Sequence, residues 1–150
     1  MTTGGGSFEI IDLSDAFYRG KGKPTPTARG GKFVVMQNEA DSAEYLVLSP
    51  AAQSFYHANV VEQFCRLERF KISGHYLKKG ERYVLNHPDW MVTGGGMWDL
   101  DEVKKEIRFY GTSQAYGTCL LAELTKRISG VSSVAVWNPE ENTAEGEVLK

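Results

Sequence analysis

The sequence has few of the residues and patterns that mark the common ligand sites and targeting segments. Its 150 residues include two cysteines and three histidines, and no pair of histidines has the spacing of a helical metal site. No apolar run reaches the roughly 18 residues that a membrane span requires. The glycine-rich start lacks the basic and apolar regions of a signal peptide. We therefore expect a cytoplasmic protein that needs neither a metal nor another cofactor.

An excess of charge of one sign is also lacking. The 17 basic and 19 acidic residues leave a formal net charge of -2, which gives no electrostatic reason to expect a nucleic-acid or membrane partner. Any anion must be held locally. The hydrophobic content of 41% is enough for one core. We expect a monomer with a single domain over residues 1–150, flexible tails at 1–7 and 139–150, and Cys65 and Cys119 as reduced core thiols.

Runs of β-branched and aromatic residues alternate with two helical patterns. The first helix is predicted from Ser49, as its cap, and Pro50 to about Phe70, and the second from about Thr112 to Ile128. The predicted strands are 8–13, 32–37, 44–48, 90–93, 105–110 and 132–137. This order favours an α+β fold: a mixed, mostly antiparallel sheet of about six strands with two main helices packed on it.

Three segments lack a clear period. Residues 14–31 are rich in glycine, proline, lysine and threonine, which predicts a mobile loop. Residues 71–89 predict either a loop excursion or a short hairpin that includes residues 83–85, and we assign no chemistry there. The three glycines at 94–96 have no following Gly-Lys-Ser/Thr, so they are not a phosphate-binding loop. A strand bend or bulge is the better interpretation.

His57 is the strongest candidate for chemistry. It shares a helix face with Val60, Val61 and Phe64, so its imidazole should be at least half buried. A core histidine satisfied by one hydrogen bond is the alternative. Near a helix start, the dipole and the apolar neighbours both favour neutral imidazole, which can act as a base or a nucleophile at neutral pH. His75 and His87 lie in the poorly patterned middle and are weaker candidates.

The passage from Phe109 to Gly117 is a candidate anion site, because amides at a helix start have no partners within the helix and the dipole favours negative charge there. Ser113 adds a hydroxyl donor. An ordinary helix cap by Thr112 or Ser113 is the alternative. Lys32 begins a strand directly after two glycines, and its position alone is that of any lysine at a strand end.

Three motifs of this chain occur together in one known family. The first is Thr93 and the three glycines, followed by the turn Tyr110-Gly111-Thr112-Ser113-Gln114-Ala115-Tyr116-Gly117. The second is Tyr56-His57-Ala58 with the helix that follows, and the third is Lys32 at the head of an apolar strand. Over about residues 32–137 the chain resembles the protein phosphohistidine phosphatase family, which includes the Janus and Ocnus proteins. Residues 71–89 look like an insertion.

The resemblance implies a metal-independent phosphatase that hydrolyses phosphohistidine in proteins or peptides. It implies that His57 is the catalytic residue, and that Lys32, Ser113, Gln114 and the amides near Ala58 and Ala115 bind phosphate.

Two positions depart from the family pattern. Met97 follows the glycines where family members can carry arginine, and Ser49 stands about where the family has a basic residue. These departures motivate one alternative function, a non-catalytic phosphoprotein-binding or regulatory module of the same fold. A third alternative is a structural protein that shares the fold and binds no phosphate.

Overall fold

The computed structural model describes residues 7–77, 81–113, 115–117, 135–138 and 143–147. Its elements, in chain order, are β1 (Phe8–Asp12), α1 (Ser14–Gly20), β2 (Ala28–Asn38), β3 (Ala43–Pro50), α2 (His57–Cys65), β4 (Gly74–Leu77), β5 (Arg82–Leu85), β6 (Trp90–Asp101), β7 (Glu106–Tyr110), β8 (Ala135–Asn138) and β9 (Thr143–Glu147).

Seven strands form the main sheet in the order β1-β3-β2-β6-β7-β9-β8. β1 and β3 are parallel, and the other pairs are antiparallel. β4 and β5 form a separate antiparallel hairpin, which is one of the two alternatives predicted for residues 71–89. The predicted α+β class with a mostly antiparallel sheet is confirmed.

Side-chain alternation along β2 divides the core between the two faces of the sheet. Val34 and Met36 pack with the buried face of α2, whereas Phe33 and Val35 pack with Trp98 on the opposite face. Burying an aliphatic or aromatic side chain of this size contributes about 1.5–3 kcal/mol. These buried side chains hold α2 against β2. Lys32 lies two residues before Val34 on β2, so the two side chains point to the same face of the sheet. The Lys32 side chain therefore belongs to the face on which α2 starts.

The predicted start of the first helix is wrong by seven residues. Ser49 and Pro50 end β3, where they pair in register with Lys32 and Gly31, and this ladder outweighs the local capping signal. The helix instead begins at His57, because Tyr56 and Asn59 exchange bonds: Tyr56 N–H donates to Asn59 Oδ1 (2.9 Å) and Asn59 N–H donates to Tyr56 O (3.0 Å). The helix ends at Cys65, before the predicted end near residue 70.

The predicted mobile loop at 14–31 is also wrong, since it contains α1 and the start of β2. α1 buries only Ser14, which explains why the segment shows no hydrophobic period. Arg29 fixes the segment through ion pairs with Asp12 (2.8 Å) and Glu102 (3.1 Å), and its side chain is 5% exposed. A buried charge paired on two sides orders the chain around it.

β6 runs without interruption through the three glycines, whereas the sequence predicts a strand that stops before them. A register shift leaves Thr93 without a partner opposite Val35 and Met36. The bulge predicted at the three glycines therefore lies one residue before them, and the glycines themselves pair in register with β2. The sequence also predicts a flexible tail for 139–150, and the structure places β9 there, paired with β7 and β8. The second helix does not begin at Thr112 as predicted: residues 115 and 116 form a turn closed by the bridge between Ser113 and Gly117. The rest of this predicted helix, from residue 118 to Ile128, lies outside the described residues.

The interpretation of the cysteines is tested at one of them. Cys65 is free and buried, and burial raises the pKa of its thiol to about 12, as expected of a core thiol. Cys119 lies outside the described residues. Neither α1 nor α2, the helices in the part of the chain that the structure describes, is long and apolar enough to cross a membrane.

Candidate functional site

A cleft of about 380 Å³ opens where the start of α2 meets the sheet. Five parts of the chain contribute to it: β2, the start of α2, the β4–β5 hairpin, β6 and the turn after β7. Its lining residues are Lys32, Tyr56, His57, Glu81, Arg82, Met97, Thr112 and Ala115. Two residues of the predicted site that come from distant parts of the sequence, Lys32 and His57, therefore share one cavity.

His57 is the first residue of α2 and is partly buried. Its Nε2 lies 2.8 Å from the carbonyl oxygen of Gly96. Because a carbonyl only accepts, Nε2 carries the proton and donates it to Gly96 O. In the neutral ring the lone pair then belongs to Nδ1. The hydrogen bond thus fixes the tautomer and leaves Nδ1 as the basic atom.

Burial lowers the pKa of His57 below its ordinary value of 6.5. The bond to Gly96 O opposes this by favouring the protonated ring, and the positive charge of Lys32 lowers the pKa further. Desolvation is the largest of these effects. The expectation of a neutral imidazole at neutral pH is confirmed in direction, and the lone pair on Nδ1 is available without prior loss of a proton.

Gly95, on β6, lies directly against the imidazole of His57. A Cβ at this position would lie 2.6 Å from Phe33 O, 3.1 Å from His57 Cδ2 and 3.3 Å from Ser113 Cβ. The side chains of His57 and Ser113 therefore both approach β6 at Gly95, where no side chain intervenes. Only glycine permits this approach.

The turn after β7 is tied to the same strand. Gly117 O accepts from the N–H groups of Gly95 and Ser113 (both 3.3 Å), and Gly117 N–H donates to Ser113 O (2.8 Å). Ser113 Oγ accepts from Tyr116 N–H (3.1 Å), a bond of the kind made by a capping serine, although here it closes a turn and not the first turn of a helix. Ser113 is only 2% exposed, and a hydroxyl that accepts one hydrogen bond still carries a hydrogen that it can donate.

Three further residues are predicted to bind phosphate. Ala115 lines the cleft with Lys32 and His57. Ala58 is buried at the second position of α2, where an amide has no acceptor within the helix. Gln114 lies outside the described residues.

The two departures from the family pattern differ in their position relative to the cleft. Met97 lines the cleft beside Lys32, its partner in register, so this departure falls at the site itself. Ser49, the second departure, is buried and bonded to Ser54 (2.8 Å).

The hairpin supplies two cleft residues that the sequence analysis missed, Glu81 and Arg82. The assignment of no chemistry to residues 71–89 is therefore incomplete. The missed signal is the pair of opposite charges at the turn of a predicted hairpin. His75 and His87 bond instead to Asn86 and to the N–H of Asp89, away from the cleft lining. Across the described ranges, no cluster of three His, Cys, Asp or Glu residues is arranged to hold a metal.

The lowered pKa of His57 has a testable effect on stability. In the unfolded chain the imidazole titrates near 6.5, whereas in the folded protein it takes up a proton only at lower pH. Below pH 6.5 the unfolded state therefore binds more protons, and the free energy of unfolding falls until the pH passes below the folded-state pKa. Above pH 6.5 this contribution is absent.

We expect His57→Gln to reduce this acid sensitivity. The measurement is urea unfolding of both proteins at about pH 7.5 and about pH 5.5, where the loss of stability on acidification should be smaller in the variant. An equal loss in both proteins would contradict the lowered pKa.

Comparison of the sequence with known protein families gives a match. The chain matches the family model described as the Janus/Ocnus family over residues 31–131. The matched range is more than half of the chain and includes Lys32, His57 and the turn at Ser113. No curated protein matches the sequence.

Proposed function

Because the chain belongs to the Janus/Ocnus family, we propose that it is a metal-independent protein histidine phosphatase that hydrolyses the P–N bond of phosphohistidine in phosphoproteins. The observation that carries the proposal is the state of His57: a ring held neutral by burial, fixed by Gly96 O, in one cleft with Lys32. A positioned neutral base beside a cation suits a reaction at an anionic phosphoryl group.

The phosphoryl oxygens would be held by charge and by amides. Lys32 is partly exposed at the cleft and makes no ion pair with a described residue. The amides at the start of α2, which point along its axis, and the dipole of this helix of nine residues favour negative charge beside His57. We assign Ser113, Gln114 and the amides near Ala58 and Ala115 to the same group of donors. Phosphoryl transfer is catalysed mainly by such positioning and electrostatics.

Two routes are open to Nδ1 of His57. As a general base it would take a proton from water while the water oxygen attacks phosphorus, the P–N bond breaks, and the leaving imidazole nitrogen gains a proton. As a nucleophile its lone pair would bond to phosphorus while the P–N bond of the substrate breaks and the leaving imidazole nitrogen gains a proton; water would then cleave the new bond to Nδ1, releasing phosphate and the neutral ring. Both routes need the neutral ring, and both use residues already in the cleft.

A second candidate function is a non-catalytic phosphoprotein-binding module. It is favoured by Met97, which lines the cleft without charge at the position where family members can carry arginine. Such a module would retain the anion site but turn nothing over, and its binding would depend on Lys32 and Ser113 more than on His57.

The test is phosphate release from a phosphohistidine peptide in the presence of EDTA. We expect turnover by the intact protein, and about 100-fold less from Lys32→Ala, since one group that stabilises developing charge contributes on this scale. A phosphoserine peptide of the same sequence serves as the control substrate and should be hydrolysed far more slowly. Saturable peptide binding without phosphate release would select the binding module, and turnover that stops in EDTA would contradict a metal-independent reaction.

A further inference from the structure

We propose that Arg82, on the β4–β5 hairpin, is a second anion-binding side chain of the cleft and contacts the same phosphoryl group as Lys32. The inference rests on the proposed function only for the nature of the ligand. Arg82 is exposed and lines the cavity together with His57 and Lys32. The cleft thus receives one cation from the sheet and one from the hairpin.

The guanidinium of Arg82 is held in place at the cleft. It lies over the ring of Tyr116, 4.9 Å from the ring centroid, and its Nη1 donates to the carbonyl oxygen of Ala115. A planar guanidinium has five N–H donors, so several remain after this bond. Stacking on an aromatic face lowers the entropy lost when the group binds a ligand.

The hairpin that carries Arg82 is attached to both sides of the cleft. On the side of the turn, the Tyr116 hydroxyl donates to Tyr83 O (2.9 Å) and accepts from Tyr83 N–H (2.8 Å). On the side of α2, the Tyr76 hydroxyl donates to Glu62 (2.5 Å) and accepts from Asn59 (3.1 Å). These bonds place Arg82 at a defined position relative to both the turn and His57.

The charges around Arg82 favour a small, highly charged anion. No ion pair between Arg82 and another described residue neutralises it. A guanidinium fork matches two oxygens of a phosphoryl group, whereas Lys32 acts as a point charge. Glu81 lines the same cleft and repels anions. The two neighbouring residues should therefore affect phosphate binding in opposite directions.

The experiment measures the affinity of the intact protein for inorganic phosphate by calorimetry, at fixed ionic strength. We expect Arg82→Gln to weaken binding about 10-fold, the low end for a charge-assisted contact near solvent. We expect Glu81→Gln to strengthen it about threefold, by removing a like charge. Lys104→Gln is the matched control, because Lys104 lies in the exposed turn at the far end of β6 and β7; it should leave affinity unchanged.

The two hairpin variants are expected to change phosphate affinity in opposite directions. A general disturbance of the hairpin would instead weaken binding in both variants, so the pair distinguishes ligand contact from a structural effect. Equal affinity in Arg82→Gln and the intact protein, equal weakening in both hairpin variants, or no phosphate binding by the intact protein would overturn the inference. Phosphate binding that depends on Arg82 in a protein without turnover would leave the inference standing and reject the phosphatase proposal. Phosphohistidine hydrolysis by a protein whose phosphate affinity is the same with and without Arg82 would support the phosphatase proposal and reject the inference about Arg82.

Discussion

Replacing His57 by alanine is expected to lower kcat for phosphohistidine hydrolysis by at least about 1,000-fold, within the range that a general base or nucleophile contributes. The variant loses Nδ1, the only basic atom that the hydrogen bond to Gly96 O leaves on the ring. No other histidine lines the cleft, so no described imidazole can take over the role. The measurement is single-turnover phosphate release at saturating peptide.

A chemical role for His57 is distinguished from a structural one by two further measurements. Affinity for inorganic phosphate should change by no more than about threefold, because the proposed anion ligands remain in place. His75→Ala is the matched control, since His75 lies on β4, bonded to Asn86, and this variant should retain full activity. Turnover by His57→Ala within about tenfold of the intact protein would reject His57 as the catalytic residue.

Gly95→Ala is expected to damage the site and the sheet together. The new methyl group would stand 2.6 Å from Phe33 O, a backbone atom that cannot move without shifting β2 against β6. We expect a loss of about 1–3 kcal/mol in the free energy of unfolding, as for other overpacked sites. The methyl group also meets His57 Cδ2 at 3.1 Å. A displaced imidazole should lower kcat about 100-fold, since misplacement by about 1 Å has this effect.

Gly20→Ala provides the comparison within the same chain. A Cβ at Gly20, on α1, meets nothing within 4 Å, and alanine in a helix is favoured over glycine by up to about 1 kcal/mol. This variant should be as stable as the intact protein or more so, with unchanged kcat. Urea unfolding and phosphate release are measured on both variants. If Gly95→Ala behaves like Gly20→Ala in both assays, the close approach at Gly95 has no functional importance.

The sequence was sufficient for the parts of the fold and site that depend on local pattern. Runs of β-branched and aromatic residues identified β2 and β3, alternation identified β7, and helical spacing identified the buried face of α2. The position of His57 beside Val60 and Val61 gave its burial and its neutral state. These features follow from periodicity and from the environment that periodicity implies.

What the sequence could not supply depends on contacts between distant residues. The extension of β3 through Pro50 comes from pairing with Gly31, which no local signal reveals, and the ion pairs of Arg29 order a segment without hydrophobic period. Arg82 reaches the cleft because the hairpin bonds to Tyr116, which is 33 positions away from Tyr83 in the sequence. Composition alone gave residues 71–89 no role, since long-range docking leaves no periodic trace.

The attachment of the hairpin to Tyr116 uses only main-chain atoms of residue 83. Every amino acid except proline presents the same N–H and C=O groups, so these two bonds place almost no restriction on the side chains at positions 81 and 82. Glu81 and Arg82 could therefore be exchanged for other residues without loss of these two bonds. His57 is held by α2 and β6, whereas Glu81 and Arg82 lie on a separate hairpin. The charges at the mouth of the cleft can therefore change by substitution without altering the contacts that hold His57.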